Sequence, residues 1–167
     1  LLGLGLSGGD RIIWCGPNSV EVMVVLHAAR KAGFVAVPLA YRFTAEEMQY
    51  VIDNSDSTMV IIDAEQAPLL ASVRDRLPKV REIVVFGGPA PDGFVSWDEV
   101  VAGAAETEPT VPAGADFANS MIYTSGTTGH PKGASRSKAT DPATVIALLT
   151  ELRFQPGHEV HITTGPL

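Results

Sequence analysis

Residues 9–63 read GDRIIWCGPNSVEVMVVLHAARKAGFVAVPLAYRFTAEEMQYVIDNSDSTMVIID. Three short apolar runs in this stretch, at residues 11–15, 34–39 and 58–63, are bounded by turn residues and predict buried strands. The two longer segments between them predict helices, which end near residues 32 and 54. Because buried strands alternate with helices here, the sequence predicts an α/β fold with a mostly parallel sheet flanked by helices.

Capping signals mark the start of both predicted helices. Asn18 or Ser19 is expected to cap the first one, and Glu21 lies three residues after Asn18, as in a capping box. Thr44 and Glu47 form a second capping-box pair. The two helices are therefore predicted to begin directly after residues 18–19 and 44.

The alternation of strands and helices continues after residue 63. Residues 87–115 are rich in Gly, Pro and Ala and predict a surface segment with one short helix. The further predicted elements are helices at about 65–77, 97–102 and 142–152, the last capped by Asp141, and strands at 81–86, 119–123 and 159–163.

Charge and cysteine content narrow the classes of function. The chain has 12 Lys and Arg against 19 Asp and Glu, a net charge of −7, so no overall basic field favours nucleic acid. No apolar run reaches the roughly 18 residues that a membrane span needs. The single cysteine, Cys15, lies in an apolar strand, which predicts a buried small side chain and is typical of a reducing cytoplasm.

A glycine-rich stretch, YTSGTTGHPKG at residues 123–133, directly follows the strand predicted at 119–123. It combines hydroxyl side chains, glycines and one lysine. Glycine lets the backbone N–H groups approach a polyphosphate closely, and a lysine adds a positive charge that phosphate oxygens can accept. The stretch therefore predicts a phosphate-binding loop.

Two common phosphate-binding motifs do not fit this loop. The P-loop of nucleotide hydrolases needs Gly before its lysine and Ser or Thr after it. In this chain Pro131 precedes Lys132 and Gly133 follows it. The GxGxxG motif of dinucleotide-binding proteins does not occur in the sequence.

The loop resembles the signature of the adenylate-forming superfamily, which includes acyl-CoA synthetases, adenylation domains of peptide synthetases and luciferases. The pattern [YF]-[TS]-[SG]-G-[TS]-[TS]-G-x-P-K-G is met at every fixed position between Tyr123 and Gly133. Residues 9–63 also resemble the early N-terminal domain of these enzymes. The likeness covers about residues 3–167, and its most specific part is the loop.

The resemblance implies an AMP-forming fatty-acid–CoA ligase. Such an enzyme joins a carboxylic acid to ATP, with Mg²⁺, and then transfers the acyl group to coenzyme A. The residues that would hold the β- and γ-phosphates are Thr124, Ser125, Gly126, Thr127, Thr128, Gly129 and Lys132. The substrate carboxylate is the nucleophile, so no catalytic side chain and no protein ligand for a metal are assigned in this chain.

The resemblance also implies that residues 1–167 are a partial N-terminal AMP-binding domain. The remaining N-terminal subdomains and the C-terminal domain have no counterpart in the sequence, so we expect the fragment alone to be inactive. An acyl-AMP ligase, an aryl-CoA ligase and a non-catalytic nucleotide-binding module stay open as alternatives. The expected partners are small-molecule substrates in the cytoplasm, and the oligomeric state is left open.

Overall fold

The computed structural model describes residues 1–110, 120–124, 131–136, 141–155 and 157. Seven strands and five helices lie within these residues, together with 3₁₀ turns at Leu2–Leu4 and Arg74–Arg76. In chain order they are β1 (Arg11–Cys15), α1 (Val20–Ala32), β2 (Val35–Pro38), α2 (Ala45–Asn54), β3 (Met59–Asp63), α3 (Ala67–Ala71), β4 (Glu82–Phe86), β5 (Val95–Ser96), α4 (Trp97–Ala102), β6 (Ser120–Thr124), β7 (Lys132–Arg136) and α5 (Pro142–Glu151).

The strands form one sheet in the order β5-β4-β3-β1-β2-β6-β7. Every neighbouring pair is parallel except β6 and β7, which are antiparallel. The chain moves outward in one direction from β1 to β2 and in the other from β3 to β5, as in a doubly wound sheet. The predicted fold class, a mostly parallel sheet flanked by helices, is confirmed.

Alternate side chains of the strands point to two separate apolar clusters. One face, with Ile13 and Val60, packs against α2 and α3, and the other, with Ile12 and Ile61, packs against α1. These four strand residues are completely buried. The described helices cover both faces of the central strands β1 to β4, which accounts for their continuous apolar sequences. None of the described helices is long and apolar enough to cross a membrane.

The capping prediction for α2 is confirmed; for α1 the predicted cap residue Ser19 is confirmed, but the predicted capping box with Glu21 is wrong. Thr44 and Glu47 make both hydrogen bonds of a capping box, and α2 spans the predicted residues 45–54. Helix α1 begins at Val20 with Ser19 as its N-cap, and the Ser19 side chain makes no capping hydrogen bond. Glu21 is therefore the second helical residue, one position too early to complete a capping box.

The single helix predicted at about 65–77 is wrong. The structure has the short helix α3 and then the 3₁₀ turn Arg74–Arg76. The Asp63 carboxylate accepts a hydrogen bond from the Glu65 backbone N–H, which holds the start of the segment in a turn. After α3, the Ser72 hydroxyl donates to the Leu69 carbonyl, and Arg74 donates to the carbonyls of Leu77 and Val80. These side-chain bonds replace helical ones and turn the chain toward β4.

Other predicted elements agree to within one or two residues, but two short strands were not predicted. The strand predicted at 119–123 corresponds to β6, which spans Ser120–Thr124; residue 119 lies outside the described residues. The strand predicted at 159–163 lies entirely outside the described residues. Strand β5 has two residues, too few for a pattern. Strand β7 reads KGASR, which has no apolar alternation and a low intrinsic β propensity.

Candidate functional site

The predicted phosphate-binding loop joins β6 to β7. We call these two strands the β6–β7 hairpin, and the base of the loop is where β6 ends at Thr124 and β7 begins at Lys132. The register places Thr124, the last residue of β6, opposite Lys132, the first residue of β7. Both residues are exposed. Two of the seven predicted phosphate-binding residues are thus brought side by side at the base of the loop. The other five, Ser125, Gly126, Thr127, Thr128 and Gly129, lie outside the described residues.

Close packing between the two strands explains the last glycine of the motif. Tyr123 lies opposite Gly133 in the register. A Cβ atom on Gly133 would lie 3.0 Å from Cζ of Tyr123 and 3.1 Å from Sδ of Met121. The tyrosine ring therefore occupies the space that a side chain at position 133 would need. The first and last residues of the motif fit each other across the ladder.

Helix α2 contacts the hairpin in β6 and at Pro131, the residue directly before β7. The Tyr50 hydroxyl donates a hydrogen bond to the Pro131 carbonyl oxygen over 3.3 Å. The Tyr123 hydroxyl donates to Oδ1 of Asn54 over 2.7 Å. Tyr50 and Asn54 are four residues apart and so lie on one side of the helix. These two contacts join the base of the loop to an element of the apolar core.

The Tyr123 hydroxyl is held in its protonated form. Burial raises the pKa of Tyr123, and the neighbouring Tyr50 acts in the same direction. A tyrosine whose pKa lies above its ordinary value of 10.0 is a hydrogen-bond donor throughout the neutral range. The contact from Tyr123 to the Asn54 amide oxygen is therefore retained at neutral pH.

Sequence reasoning identified the loop but not its supports. Tyr50 and Asn54 lie in a helix that precedes the loop by about 70 residues and carry no motif of their own. Their spacing of four residues is common in any helix, so it does not signal a site. What brings them to the loop is the position of β6 next to β2, which depends on tertiary structure alone.

Cys15, a second residue considered at the sequence level, is not part of this arrangement. It is completely buried at the end of β1, and burial raises the pKa of its thiol to about 12. The nearby Asp63 carboxylate adds to this increase. A thiol that stays protonated is a poor nucleophile, so the prediction of a packed, unreactive cysteine is confirmed.

Comparisons with known proteins agree with the predicted family and fold. Residues 1–167 match the protein family described as AMP-binding enzyme. The long-chain-fatty-acid–CoA ligase FadD13 of Mycobacterium tuberculosis is 38% identical over 133 residues, which are 80% of this chain and 25% of that protein. A 3-hydroxybenzoate–CoA ligase of Aromatoleum sp. is 32% identical over 163 residues, 96% of this chain and 30% of that protein.

A solved structure shows the same architecture. The anthranilate CoA ligase AuaEII, in complex with anthranoyl-AMP, superposes with a TM-score of 0.75 at 27% identity and covers 81% of this chain and 26% of that one. The chain thus spans about a quarter to a third of the length of these proteins. Because the family match covers all 167 residues, the chain belongs to the AMP-binding enzyme family.

Proposed function

We propose that residues 1–167 are part of the N-terminal domain of an AMP-forming fatty-acid–CoA ligase. The enzyme would join a carboxylic acid to ATP, release pyrophosphate, and transfer the acyl group from acyl-AMP to coenzyme A. The observation that carries this proposal is the pairing of Thr124 with Lys132, which brings a hydroxyl and a cation together at the base of the glycine-rich loop. The similarity to FadD13 supports the fatty-acid substrate class.

In this proposal the loop holds the leaving pyrophosphate. The exposed ammonium group of Lys132 would pair with phosphate oxygens, and the Thr124 hydroxyl would donate to the same group. Ser125, Gly126, Thr127, Thr128 and Gly129 would supply further hydroxyl and backbone N–H donors. Charge stabilisation of this kind lowers the barrier because negative charge grows on the phosphates as the carboxylate attacks.

Mg²⁺ belongs to the proposal as a companion of ATP. No group of three or more His, Cys, Asp and Glu side chains that could hold a metal lies within the described part of the chain. Mg²⁺ usually keeps several waters and binds mainly through substrate phosphates. When bound, Mg²⁺ shares the negative charge of the pyrophosphate. Within the protein, Thr124 and Lys132 are the described residues that would face this complex.

An aromatic acid is the second candidate substrate. Two of the similar proteins are a 3-hydroxybenzoate–CoA ligase and an anthranilate CoA ligase, and the first of these matches 96% of this chain. The loop is compatible with either class because it would contact ATP and not the acid. Location in the cytoplasm is also part of the proposal, and the free, buried Cys15 is compatible with a reducing compartment.

The test is acid-dependent exchange of pyrophosphate into ATP by the full-length protein. Fatty acids of several chain lengths and aromatic acids are supplied one at a time, and coenzyme A thioesters are measured in parallel. We expect exchange with one class of acid, with fatty acids preferred. If no acid supported exchange, the proposed ligase activity would be wrong, and thioester formation with aromatic acids alone would favour the second candidate.

Replacing the loop lysine sharpens the same test. Lys132→Met is expected to lower kcat/KM for ATP about 10- to 100-fold, because a charged hydrogen bond to phosphate is lost. Lys31→Met is the matched control, since Lys31 is an exposed lysine paired with Glu108 away from the loop. Equal activities of the two variants would contradict a phosphate-binding role for Lys132.

A further inference from the structure

The contacts between α2 and the β6–β7 hairpin fall next to the predicted phosphate-binding residues on both strands. Tyr123, bonded to Asn54, directly precedes Thr124, and Pro131, bonded to Tyr50, directly precedes Lys132. The chain is therefore hydrogen-bonded to the same helix directly before Thr124 and directly before Lys132.

From this arrangement we propose that Tyr50 and Asn54 are positioning residues for ATP binding. They act through the hairpin and set the separation and direction of Thr124 and Lys132, without touching the substrate themselves. The inference rests on the proposed function, and it adds to it the residues that position Thr124 and Lys132.

Helix α2 is suited to this role because it is fixed along its whole length. Its first turn is closed by the Thr44 capping box, and Met48, Val51 and Ile52 are completely buried in the apolar core. Because Thr124 and Lys132 lie directly beside contacts to this fixed helix, they need little reordering when a ligand binds, which preserves binding energy for the transition state.

The C-terminal end of α2 is held by charged side chains from two other elements. Arg11 of β1 donates to the Ser55 carbonyl over 2.7 Å and to the Asp56 carboxylate over 3.0 Å. Lys79, which lies shortly before β4, donates to the Asp53 carbonyl over 3.1 Å. Asn54 lies between these fixed points, so its amide oxygen has a defined position relative to the sheet.

Because Tyr50 and Asn54 lie outside the fully buried core, the effect of their substitution on ATP binding can be told apart from an effect on stability. Asn54 is exposed and Tyr50 is half-buried, and neither belongs to the completely buried core. Loss of their polar groups should therefore leave the apolar core intact. What changes is the position of the loop base relative to the sheet.

The experiment compares the two half-reactions in variants of the full-length protein. Tyr50→Phe removes the donor to Pro131, and Asn54→Leu removes the acceptor for Tyr123. We expect each to raise the KM for ATP in the adenylation step about fivefold, the usual net contribution of one hydrogen bond. The reaction of supplied acyl-AMP with coenzyme A should be unchanged, because the pyrophosphate has already left at that stage.

Two control variants make the result specific. Tyr41→Phe also removes a tyrosine hydroxyl that is hydrogen-bonded, in this case to the Glu65 carboxylate over 2.8 Å, and it should behave as the wild type. Asn54→Asp keeps an acceptor oxygen for Tyr123 and should restore the KM for ATP to near the wild-type value. Restoration by an acceptor is not expected if the side chain only fills space.

Three results would contradict the inference. In the first, the wild type is active and the variants Tyr50→Phe and Asn54→Leu have the same KM for ATP as the control variant Tyr41→Phe. Another is a parallel loss of both half-reactions with a lower Tm, which would indicate general destabilisation. A third is failure of Asn54→Asp to restore the KM. By contrast, a wild-type protein that shows no exchange with any acid rejects the proposed function itself and, with it, this role.

Discussion

The central strands and the β6–β7 hairpin belong to one sheet but are held in different ways. Ile61 in β3 is completely buried between α1 and the neighbouring strands, whereas Ile122 in β6 is 43% exposed. Residues 132–135 of β7 are exposed. The central strands are thus stabilised by burial. The hairpin is held by the hydrogen bonds between β6 and β7, by the bond that Tyr50 of α2 donates to Pro131, and by the bond that Tyr123 donates to Asn54 of α2.

Because of this difference, we expect the central strands to determine the stability of the sheet and the hairpin to determine ATP binding. Burial of apolar area contributes to stability without requiring one geometry, whereas a hydrogen bond fixes direction and distance at a small net free energy. Changes in the central strands should therefore affect mainly the free energy of unfolding. Changes in the hairpin should affect mainly the binding of ATP.

The largest effect is expected from one substitution made in both regions. Ile61→Ala leaves a cavity in a close-packed core and should lower the free energy of unfolding by about 2–5 kcal/mol. Ile122→Ala removes a side chain that is already 43% exposed and should cost less than about 1 kcal/mol. Urea denaturation of both variants measures the difference. Equal losses would show that the hairpin is packed as tightly as the core.

A second pair of substitutions adds a methyl group in each region. A Cβ atom on Gly16 would lie 2.4 Å from Cζ of Phe86, whose ring is stacked on Trp14. Gly16→Ala should therefore cost about 1–3 kcal/mol through overpacking. Gly133→Ala meets the half-buried Tyr123 at 3.0 Å, so the ring can shift, and the main change should be a higher KM for ATP.

Thermal unfolding and ATP kinetics on both glycine variants check this assignment. We expect Gly16→Ala to lower Tm with the KM for ATP unchanged at temperatures where it is folded. Gly133→Ala should show the opposite pattern. If Gly133→Ala lowered Tm strongly and Gly16→Ala did not, the assignment of stability to the central strands and of ATP binding to the hairpin would be wrong.

A smaller effect is expected at the start of α2, the helix that links the two regions. Thr44→Ala removes the side-chain oxygen that accepts from the Glu47 N–H and should cost about 1 kcal/mol. Thr44→Ser keeps that oxygen and should retain most of the stability. Chemical denaturation of the two variants tests the capping box, and equal losses would show that the hydroxyl is not what stabilises the helix.

At neutral pH the smallest effect is expected from the ionisation of Cys15, which depends on the core alone. Its thiol has an ordinary pKa of 9.0 in the unfolded chain and a pKa of about 12 in the folded one. Between these values the unfolded chain binds fewer protons, so the thiol lowers the free energy of unfolding as pH rises. Below pH 9 it contributes no pH dependence.

A Cys15→Ala variant and a thiol reagent measure this behaviour. The fall in stability above pH 9 should be less steep in Cys15→Ala than in the wild type. At pH 8 the reagent should label the wild type slowly, faster in Ile61→Ala, and at the wild-type rate in Ile122→Ala. Rapid labelling of the native wild-type chain would contradict the buried, protonated thiol.

The same division explains what could be predicted from the sequence. The strands β1 to β4 and the capping box of α2 depend on local patterns, namely apolar runs and the Thr44–Glu47 spacing, and these were found. Strand β7 was not found because its sequence lacks apolar alternation and becomes a strand only by pairing with β6. The helix predicted at 65–77 failed because side-chain hydrogen bonds of Asp63, Ser72 and Arg74 compete with helical ones.

For the site, the motif identified the loop, and the fold supplied its supports. The bonds from Tyr50 to Pro131 and from Tyr123 to Asn54 join residues 81 and 69 positions apart. No local pattern encodes contacts across such distances. The phosphate-binding roles of Thr124, Lys132 and residues 125–129 stay predictions, and residues 125–129 lie outside the described part of the chain.

The fit between Tyr123 and Gly133 has a consequence for how this motif can vary among related sequences and in protein engineering. The ring at 123 fills the space above 133, so the two positions should change as a pair. A larger residue at 133 is admissible where 123 carries a smaller side chain, and a library that varies one position alone should recover mainly the parental residue. Paired randomisation should instead recover combinations with a similar summed side-chain volume.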